Sequence, residues 1–371
     1  MRFENLKNFS SEDLHWMNFA IYQANQGLGL TNFNPSVGCV IIKNGKLVSY
    51  ARTSDGGKEH AEEIAINRAG NNLKNSTLYV TLEPCAHIRK VGSCLIKILN
   101  SSINRVVIGC YDPDLRTNGQ SIKKLRENNI DVSYGCMEDK CFELINGFKS
   151  RINNNRPYVT FKIATSLDGK LSLSNLKSKW ITNRETRHFI HLYRARSDAI
   201  ITGVNTIIYD NPLLNCRIEG LEKFSPYVYI LDTKLRVPLN SKILKEKNTT
   251  IFTSSKTEKK LINKLIDKKL NVESVDENKN GKLDLISICR NLSNKKINNL
   301  LVEAGSNLFA SFLNDNLIDK IILCRSGKIF GSESISFSGN LNLTKIPSRD
   351  DFYLQDSFNV NSNIIEHWVK L

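Results

Sequence analysis

A histidine, a glutamate and two cysteines form the most chemically informative pattern in the chain. Residues 60–62 read His-Ala-Glu, residues 84–85 read Pro-Cys, and a second cysteine follows at Cys94. Two thiolates and an imidazole suit Zn²⁺, and three protein ligands leave a fourth position open for water. Zinc lowers the pKa of bound water from about 15.7 to about 7, so hydroxide is available at neutral pH. The pattern therefore predicts a zinc site formed by His60, Cys85 and Cys94.

Glu62 is predicted to move protons beside this metal without binding it. A His-x-Glu followed by a Pro-Cys is typical of zinc-dependent nucleobase deaminases, in which the glutamate is the general acid and base. Taken singly, the histidine and the thiols could be ordinary core residues; taken together, the five specified residues favour the catalytic zinc interpretation. Eight residues separate Cys85 from Cys94 instead of the usual two, which indicates a particular branch of these zinc deaminases.

Length and composition predict two domains and a cytoplasmic location. A chain of 371 residues exceeds one ordinary core, and its 40% hydrophobic residues can fill two. The polar stretch 150–157 ends in proline, so we predict domains at 1–150 and 151–371. No apolar run approaches the roughly 18–20 residues of a membrane span, and residues 1–10 lack an apolar signal core. Nine scattered cysteines fit buried thiols in a reducing compartment.

The net charge of +15 raises the question of nucleic-acid binding. The lysines are spread along the chain, and no compact basic run is interleaved with aromatic residues. A phosphorylated substrate or a nucleotide cofactor would also benefit from a positive field. We therefore expect small phosphorylated ligands, no nucleic acid and no membrane partner.

Both halves of the chain alternate predicted strands and helices, which indicates α/β layered sheets. In the first half, His-Ala-Glu opens a predicted helix over 60–69, and Pro-Cys follows a predicted strand over 78–82 and is expected to start the next helix. Two helix N-termini would then present ligands to one metal, where their positive ends favour thiolate.

The second half repeats this alternation from residue 158. Residues 182–185 read as a capping box that opens a helix to about Arg196. A strand over 299–302 leads into Glu303 and Gly305 and then into a helix to about Leu313. The segment 255–299 is rich in lysine and asparagine and is predicted to consist mainly of loops.

Several further motifs occur in a fixed order in both halves. They are Asn-Pro-Ser-Val-Gly-Cys-Val at 34–40, Thr-Leu-Glu-Pro-Cys at 81–85, Ser-Leu-Asp-Gly at 166–169, Trp-Ile-Thr at 180–182 and Val-Glu-Ala-Gly at 302–305. From about residue 12 to 370 this order resembles the bifunctional deaminase/reductases of riboflavin biosynthesis. The resemblance implies an α/β chain with an N-terminal cytidine-deaminase-like three-layer domain and a C-terminal dihydrofolate-reductase-like domain.

The resemblance also implies two reactions. The first domain would deaminate 2,5-diamino-6-(5-phosphoribosylamino)pyrimidin-4(3H)-one with zinc, and the second would reduce the ribosyl group of the product to ribityl with NADPH. The resemblance also implies that His60, Cys85 and Cys94 are zinc ligands and that Glu62 is the proton shuttle. Asn34 would hold the substrate, although an asparagine before proline can also be a simple turn residue.

In the reductase half the resemblance implies two sets of contacts. Residues expected to contact NADPH are Thr165, Trp180, Thr206, Asp210, Thr233 and Gly305. Residues expected to contact the substrate are Ser178, Arg194, Leu214, Arg217 and Glu303. Guanidinium groups at Arg194 and Arg217 match phosphate oxygens, although each could be an ordinary surface arginine. Gly305 would let a cofactor phosphate approach backbone N–H groups. The general acid stays open between Glu303 and Asp168, which could instead belong to a turn.

The chain departs from the family pattern around the predicted deaminase pocket. Residues 86–93 keep only one of the usual two histidines, Lys90 replaces the usual arginine, and Asn32-Phe33 replaces His-Pro. Three alternatives follow: a chain with reductase activity only, a tRNA- or DNA-type deaminase with a basic appended domain, and a scaffold whose zinc is closed by His87 as a fourth ligand. Related proteins suggest self-association through the reductase domain.

Overall fold

The computed structural model describes residues 9–86, 92–174, 180–246, 248–341 and 350–371. The predicted contact Ser178 and the loop residues His87 and Lys90 lie outside these ranges. The chain divides into two compact units, Met1–Asn154 and Asn155–Leu371. Among the described residues, no helix has the length and apolar character needed to cross a membrane.

The first unit is built on a mixed sheet with strand order β2-β1-β3-β4-β5. Its strands are β1 (Gly38–Lys43), β2 (Lys46–Arg52), β3 (Ser76–Leu82), β4 (Ile103–Cys110) and β5 (Asp131–Tyr134). Its helices are α1 (Ser11–Asn25), α2 (Ala61–Ala69), α3 (Cys94–Leu99), α4 (Gln120–Glu127), α5 (Glu138–Leu144) and α6 (Asn146–Asn154). β1 is antiparallel to β2 and β3, and β3, β4 and β5 are parallel.

The local sequence explains these elements. Asn44 and Gly45 both have positive φ, as the tight turn between β1 and β2 requires. β1 and β3 are buried at nearly every successive position, so both faces of the sheet are covered by helices. This confirms the predicted α/β layers of the first half.

The second unit is built on a larger sheet with strand order β11-β10-β9-β8-β12-β6-β13-β16-β15. Its strands are β6 (Tyr158–Thr165), β7 (Lys170–Ser172), β8 (Ala199–Gly203), β9 (Tyr227–Leu231), β10 (Thr249–Ser254), β11 (Asn271–Val275), β12 (Asn299–Glu303), β13 (Lys320–Ser326), β14 (Ile335–Ser336), β15 (Phe352–Val360) and β16 (Asn363–Lys370). Its helices are α7 (Arg184–Ala195), α8 (Val204–Asp210), α9 (Lys259–Ile266), α10 (Leu285–Asn294) and α11 (Ser306–Asn314).

Most of this sheet is parallel, and the C-terminal hairpin of β15 and β16 joins it antiparallel through β13. The large aromatic side chains of Phe161, Phe252 and Phe312 are fully buried. Parallel strands end at the same edge of a sheet, so the residues that follow β8, β9 and β12 meet there. This edge holds the second functional site.

Three predictions about local structure were wrong. Segment 255–299 contains α9, β11 and α10, because its apolar residues supply one buried helix face despite the many lysines. Helix α7 is capped by Asn183, whose side chain accepts the Thr186 N–H, so its cap lies one residue later than the predicted capping box. Residues 84–86 are not helical, and the next helix begins at Cys94.

Candidate active sites

The three predicted ligands of the first unit converge at the ends of two helices. His60 is the N-cap residue of α2, and Cys94 is the first residue of α3. The Nδ1 atom of His60 lies 3.3 Å from the Cys94 sulfur and 3.7 Å from the Cys85 sulfur. All three ligand atoms lie within 4.8 Å of one another. A tetrahedral zinc with ordinary bond lengths separates its ligand atoms by about 3.5–3.8 Å, so these residues fit the ion.

Cys85 reaches the cluster from irregular backbone instead of from a helix end. With eight intervening residues, the helix that follows starts at the second cysteine, and the first stays in the loop after β3. The Cys94 N–H donates to the Cys85 sulfur over 3.3 Å. Hydrogen bonding with Cys94 and His60 lowers the pKa of the Cys85 thiol to about 3, although burial opposes this. The sulfur is therefore held as the thiolate that zinc needs.

Glu62 is the second residue of α2, two residues after His60, and is 3% exposed. Its Oε2 has no hydrogen-bond partner in the part of the chain that the structure describes. Burial raises the pKa of the Glu62 carboxyl above its ordinary value. A buried carboxyl with a raised pKa and an unpartnered oxygen is suited to accept and return a proton.

Asn34 is fixed against the turn that leads to His60. Its side-chain amide donates to the Gly57 carbonyl over 2.8 Å. Gly57 has a φ of 72°, and a Cβ there would lie 2.4 Å from the Thr31 carbonyl oxygen, so this close approach requires glycine. The amide nitrogen of Asn34 therefore has a structural role, and its side-chain oxygen is the atom that could meet a substrate.

The second unit contains a cavity of about 1310 Å³ at the carboxyl edge of its sheet. The predicted residues on its wall are Trp180, Arg194, Thr206, Asp210, Leu214, Arg217, Thr233, Glu303 and Gly305. Thr165 is buried and is absent from the wall, to which its neighbour Ala164 contributes instead. The structure thus gathers nine of the predicted contacts, drawn from distant parts of the chain, around one space.

Arg194 and Glu303 face each other within this cavity. The Arg194 Nε donates to Glu303 Oε1 over 2.6 Å, and an Nη donates to Oε2 over 3.0 Å. The other Nη donates to the Asn215 carbonyl over 3.1 Å. Burial alone would raise the pKa of Glu303, but the guanidinium lowers it to about 2. Glu303 is therefore ionised at neutral pH and cannot serve as the general acid.

Asp168, the other candidate acid, is a turn residue. It accepts hydrogen bonds from the Ser166 hydroxyl and from the N–H groups of Phe330 and Gly331. Gly169 follows with a φ of 72°. Asp168 does not line the cavity, so its position favours the turn interpretation.

Lys162 lines the cavity but belongs to none of the motifs identified in the sequence. It lines the cavity from β6, and its charge contributes to the lowered pKa of Glu303. Its signal in the sequence was a lysine within an otherwise apolar central strand, Tyr-Val-Thr-Phe-Lys-Ile-Ala. A charge at such a position needs compensation, and Glu303, its register partner on β12, carries the opposite charge.

His191 is a second missed residue. The Arg217 backbone nitrogen lies 3.1 Å from His191 Nδ1. Burial and the charges of Arg194 and Arg217 lower the pKa of His191 to about 4, so the ring is neutral. The same Nδ1 lies 3.0 Å from the Asn215 carbonyl oxygen, and the tautomer of the ring decides whether it accepts from Arg217 or donates to Asn215. The Arg217 side chain donates to Asn215 Oδ1 and borders the cavity. His191 therefore fixes the backbone from which Arg217 projects.

Gly305 is the N-cap of α11 and has no side chain to cap it. Its φ is −81°, which any residue adopts, and a Cβ built there meets nothing within 4 Å. The fold itself therefore does not require glycine at this position. The first-turn N–H groups of α11 face an open space that could take a phosphate of a dinucleotide.

Comparison with known proteins identifies the protein family that each unit matches. The zinc-binding region of cytidine and deoxycytidylate deaminases matches residues 10–110, and the RibD C-terminal domain matches residues 157–354. The riboflavin biosynthesis protein RibD of Aquifex aeolicus is 37% identical over 334 residues, which cover 90% of this chain and 92% of that protein. The Escherichia coli RibD is 30% identical and covers 96% of this chain and 99% of its own length.

The chain belongs to the RibD family.

Solved RibD structures share the fold of this chain over 97% of its length. A RibD structure from Acinetobacter baumannii, 30% identical, covers 97% of this chain and 99% of its own with a TM-score of 0.86. A Thermotoga maritima structure, 32% identical with the same coverage and a TM-score of 0.86, is described as a diaminohydroxyphosphoribosylaminopyrimidine deaminase/5-amino-6-(5-phosphoribosylamino)uracil reductase. The protein is thus a bifunctional riboflavin-biosynthesis enzyme.

Membership of the RibD family confirms the predicted fold class, both enzyme types, the zinc site of His60, Cys85 and Cys94, and a reduced nicotinamide cofactor for the second unit. The alternative of a tRNA- or DNA-type deaminase finds no support, because the RibD match includes the reductase half. Residues 87–91 of the altered 86–93 loop, with the proposed fourth ligand His87, lie outside the described residues.

Proposed function

We propose that the zinc centre deaminates 2,5-diamino-6-(5-phosphoribosylamino)pyrimidin-4(3H)-one. The observation that carries this proposal is the cluster of His60, Cys85 and Cys94 beside the unpartnered carboxyl oxygen of Glu62. The Thermotoga maritima relative, described as a diaminohydroxyphosphoribosylaminopyrimidine deaminase, supports the substrate class. Three protein ligands in a site beside an acid/base residue are the arrangement of a catalytic zinc.

Glu62 is the proton carrier in this scheme. When bound, zinc lowers the pKa of water and so supplies a hydroxide nucleophile at neutral pH. The Glu62 carboxylate takes the proton released from this water and delivers it to the departing ammonia. Its raised pKa suits both transfers, because it can hold the proton between them. The Asn34 side-chain oxygen is proposed to accept a hydrogen bond from the substrate.

The second unit is proposed to reduce the ribosyl group of the product to ribityl with NADPH. Thr206, Asp210, Thr233, Trp180 and Gly305 would hold the cofactor, together with Thr165 behind the wall. Arg217, Leu214 and the Arg194–Glu303 pair would hold the substrate, as would Ser178. The support is the cavity that these residues share, apart from Thr165 and Ser178, and whose volume is ample for both ligands.

Reduction adds hydride to the anomeric carbon of the ribosyl group and breaks the bond from that carbon to the ring oxygen, which takes a proton and becomes a hydroxyl of the ribityl chain. Lys162 is proposed to stabilise the negative charge on this oxygen as the bond breaks and to donate the proton. Neither Glu303, which is ionised, nor Asp168, which lies off the cavity, can donate it. A cation placed where negative charge develops lowers the barrier of the transfer.

A cytoplasmic location, self-association through the reductase half and the absence of nucleic-acid binding stay predictions from the sequence.

Ammonia release from the diaminopyrimidinone ribose phosphate, with NADPH omitted, tests the first reaction. Glu62→Ala should lower the release rate by roughly 10²–10⁴-fold and should keep about one zinc per chain. Loss of zinc from this variant would make Glu62 a ligand or a structural residue instead. If the unaltered protein releases no ammonia but oxidises NADPH on the deaminated substrate, the chain is a reductase only.

A further inference from the structure

Glu83 is a buried carboxylate next to the zinc site that none of the steps above uses. It is 2% exposed and lies between the end of β3 and the ligand Cys85. Its Oε2 accepts the backbone N–H groups of Gly119 over 2.9 Å and of Asp112 over 3.3 Å. Its Oε1 accepts the Ser121 N–H over 3.1 Å. One side chain therefore gathers three donors from a segment about thirty residues away in the chain.

Two of these donors belong to the start of a helix that has no cap of its own. α4 begins after Gly119, which has a φ of 74° and no side chain to cap the helix. The first N–H groups of a helix have no partner within it. A carboxylate there gains from charge-assisted hydrogen bonds and from the helix dipole. Glu83 is thus the N-terminal cap of α4, supplied from another part of the chain.

Two further hydrogen bonds fasten the same segments together. The Ser121 hydroxyl donates to the Pro84 carbonyl over 2.6 Å, and the Ala86 N–H donates to the Thr117 hydroxyl over 3.5 Å. Cys85 is therefore held to the 112–121 segment on both sides. This matters because residues 83–86 belong to neither a helix nor a strand, so the Cys85 backbone depends on hydrogen bonds to its neighbours, which also include the Leu95 N–H of α3 to the Cys85 carbonyl over 3.3 Å.

We propose that Glu83 is a positioning residue for the zinc site. By capping α4 it holds the Cys85 backbone where its sulfur shares one metal with His60 and Cys94. The proposal depends on the zinc site but not on the identity of the substrate. Outer partners of metal ligands commonly change metal affinity or activity by about 10–100-fold when they are replaced.

Glu83→Gln tests the proposal with nearly unchanged volume. The amide has one oxygen and turns its NH₂ group towards backbone donors, so at least one of the three hydrogen bonds is lost. Zinc should pass to a competing chelator at least about tenfold faster than from the unaltered protein. The visible spectrum of the cobalt-substituted protein should change, because it reports ligand geometry. The NADPH-dependent reductase activity of the same chain should stay unchanged and so serves as an internal control.

Asp13→Asn is the matched control. Asp13 is a buried carboxylate of the same unit, 4% exposed, whose side chain pairs with Tyr79 and Arg105 on the strands. Its replacement should lower the melting temperature of the unit but leave the rate of zinc loss and the cobalt spectrum unaltered. If Glu83→Gln behaves in the same way, Glu83 only stabilises the fold and the proposal fails.

A milder variant covers the case in which Glu83→Gln does not fold. Ser121→Ala removes only the hydroxyl that bonds Pro84 and leaves the backbone donor to Glu83 in place. It should speed zinc loss by several-fold. Because all three bonds to Glu83 survive in Ser121→Ala, the decisive mild variant is Glu83→Asp, whose shorter side chain cannot reach the same three donors. Zinc loss from Glu83→Asp as slow as from the unaltered protein would overturn the proposal.

Discussion

The Arg194–Glu303 pair shows how burial and charge together set the chemistry of a single residue. Desolvation penalises the charged form of Glu303, and the bidentate guanidinium more than offsets that penalty. Most donors of Arg194 are committed to Glu303 and to the Asn215 carbonyl. Arg217, by contrast, projects into the cavity from a backbone that His191 fixes. We therefore propose Arg217, rather than Arg194, as the main phosphate partner.

The pair leads to a prediction about pH dependence. In Arg194→Met the burial of Glu303 loses its main offset and keeps only weaker ones such as the charge of Lys162, so the pKa of its carboxyl should rise. The carboxylate would then be lost as pH falls through the weakly acidic range, whereas in the unaltered protein it persists to about pH 2. We expect a new acidic limb in the pH profile of kcat/KM for the reductase.

Ammonia release by the same Arg194→Met protein provides the control, and its pH profile should not change. A reductase profile that is merely scaled down, with the same shape, would mean that Arg194 does not control the ionisation of Glu303. Glu303→Gln should lack the acidic limb altogether, because the amide does not titrate in this range.

At the scale of elements, most central strands could be predicted from the sequence. Several helix ends could not, and the predictions misplaced them. Strands such as β9, Tyr227–Leu231, are short buried apolar runs, and such runs have few alternatives. The start of α3 was misplaced because backbone at 83–86 is held by hydrogen bonds to the 112–121 segment, a contact that no local pattern records. Site residues such as Lys162 and His191 were missed for the same reason, since their roles depend on partners distant in the chain.

The start of α11 gives a prediction for the cofactor. Gly305→Ala adds a methyl group to an open space and requires no strained backbone, so the fold should tolerate it. If a phosphate of NADPH lies against this helix end, the methyl group will obstruct it. We expect the KM for NADPH to rise by about tenfold, a loss of about 1.4 kcal/mol in binding, with little change in the KM for the pyrimidine substrate.

Gly327→Ala is the control for this prediction. Gly327 also has no atom within 4 Å of an added Cβ, lacks a positive φ and is not on the cavity wall. It should leave both KM values unchanged. Equal behaviour of the two variants would place the cofactor phosphates elsewhere in the cavity.

At the scale of the whole molecule, the positive charge concentrates where phosphorylated ligands are expected. The cations on the cavity wall are Lys162, Arg187, Arg194, Arg217, Lys234, Arg236, Lys242 and Lys282, and the acids are Asp210 and Glu303. A cleft lined mainly by one sign of charge attracts ligands of the opposite sign. Eight cations minus two acids give the wall six of the net fifteen positive charges, which suits a phosphorylated small molecule.

The two units have separate hydrophobic cores, and this leads to the last prediction. The buried clusters of the first unit contain no residue beyond 145, and those of the second begin at Val159. Cys85→Ser should therefore abolish zinc binding and ammonia release, because a serine hydroxyl is a poor ligand for this site. NADPH oxidation on the deaminated substrate should continue at the original rate. Cys136→Ser, at a buried thiol of the same unit outside the ligand cluster, should retain zinc. Loss of reduction in Cys85→Ser, with Cys136→Ser unaffected, would mean that the metal site supports the second unit and that the two activities are not structurally independent.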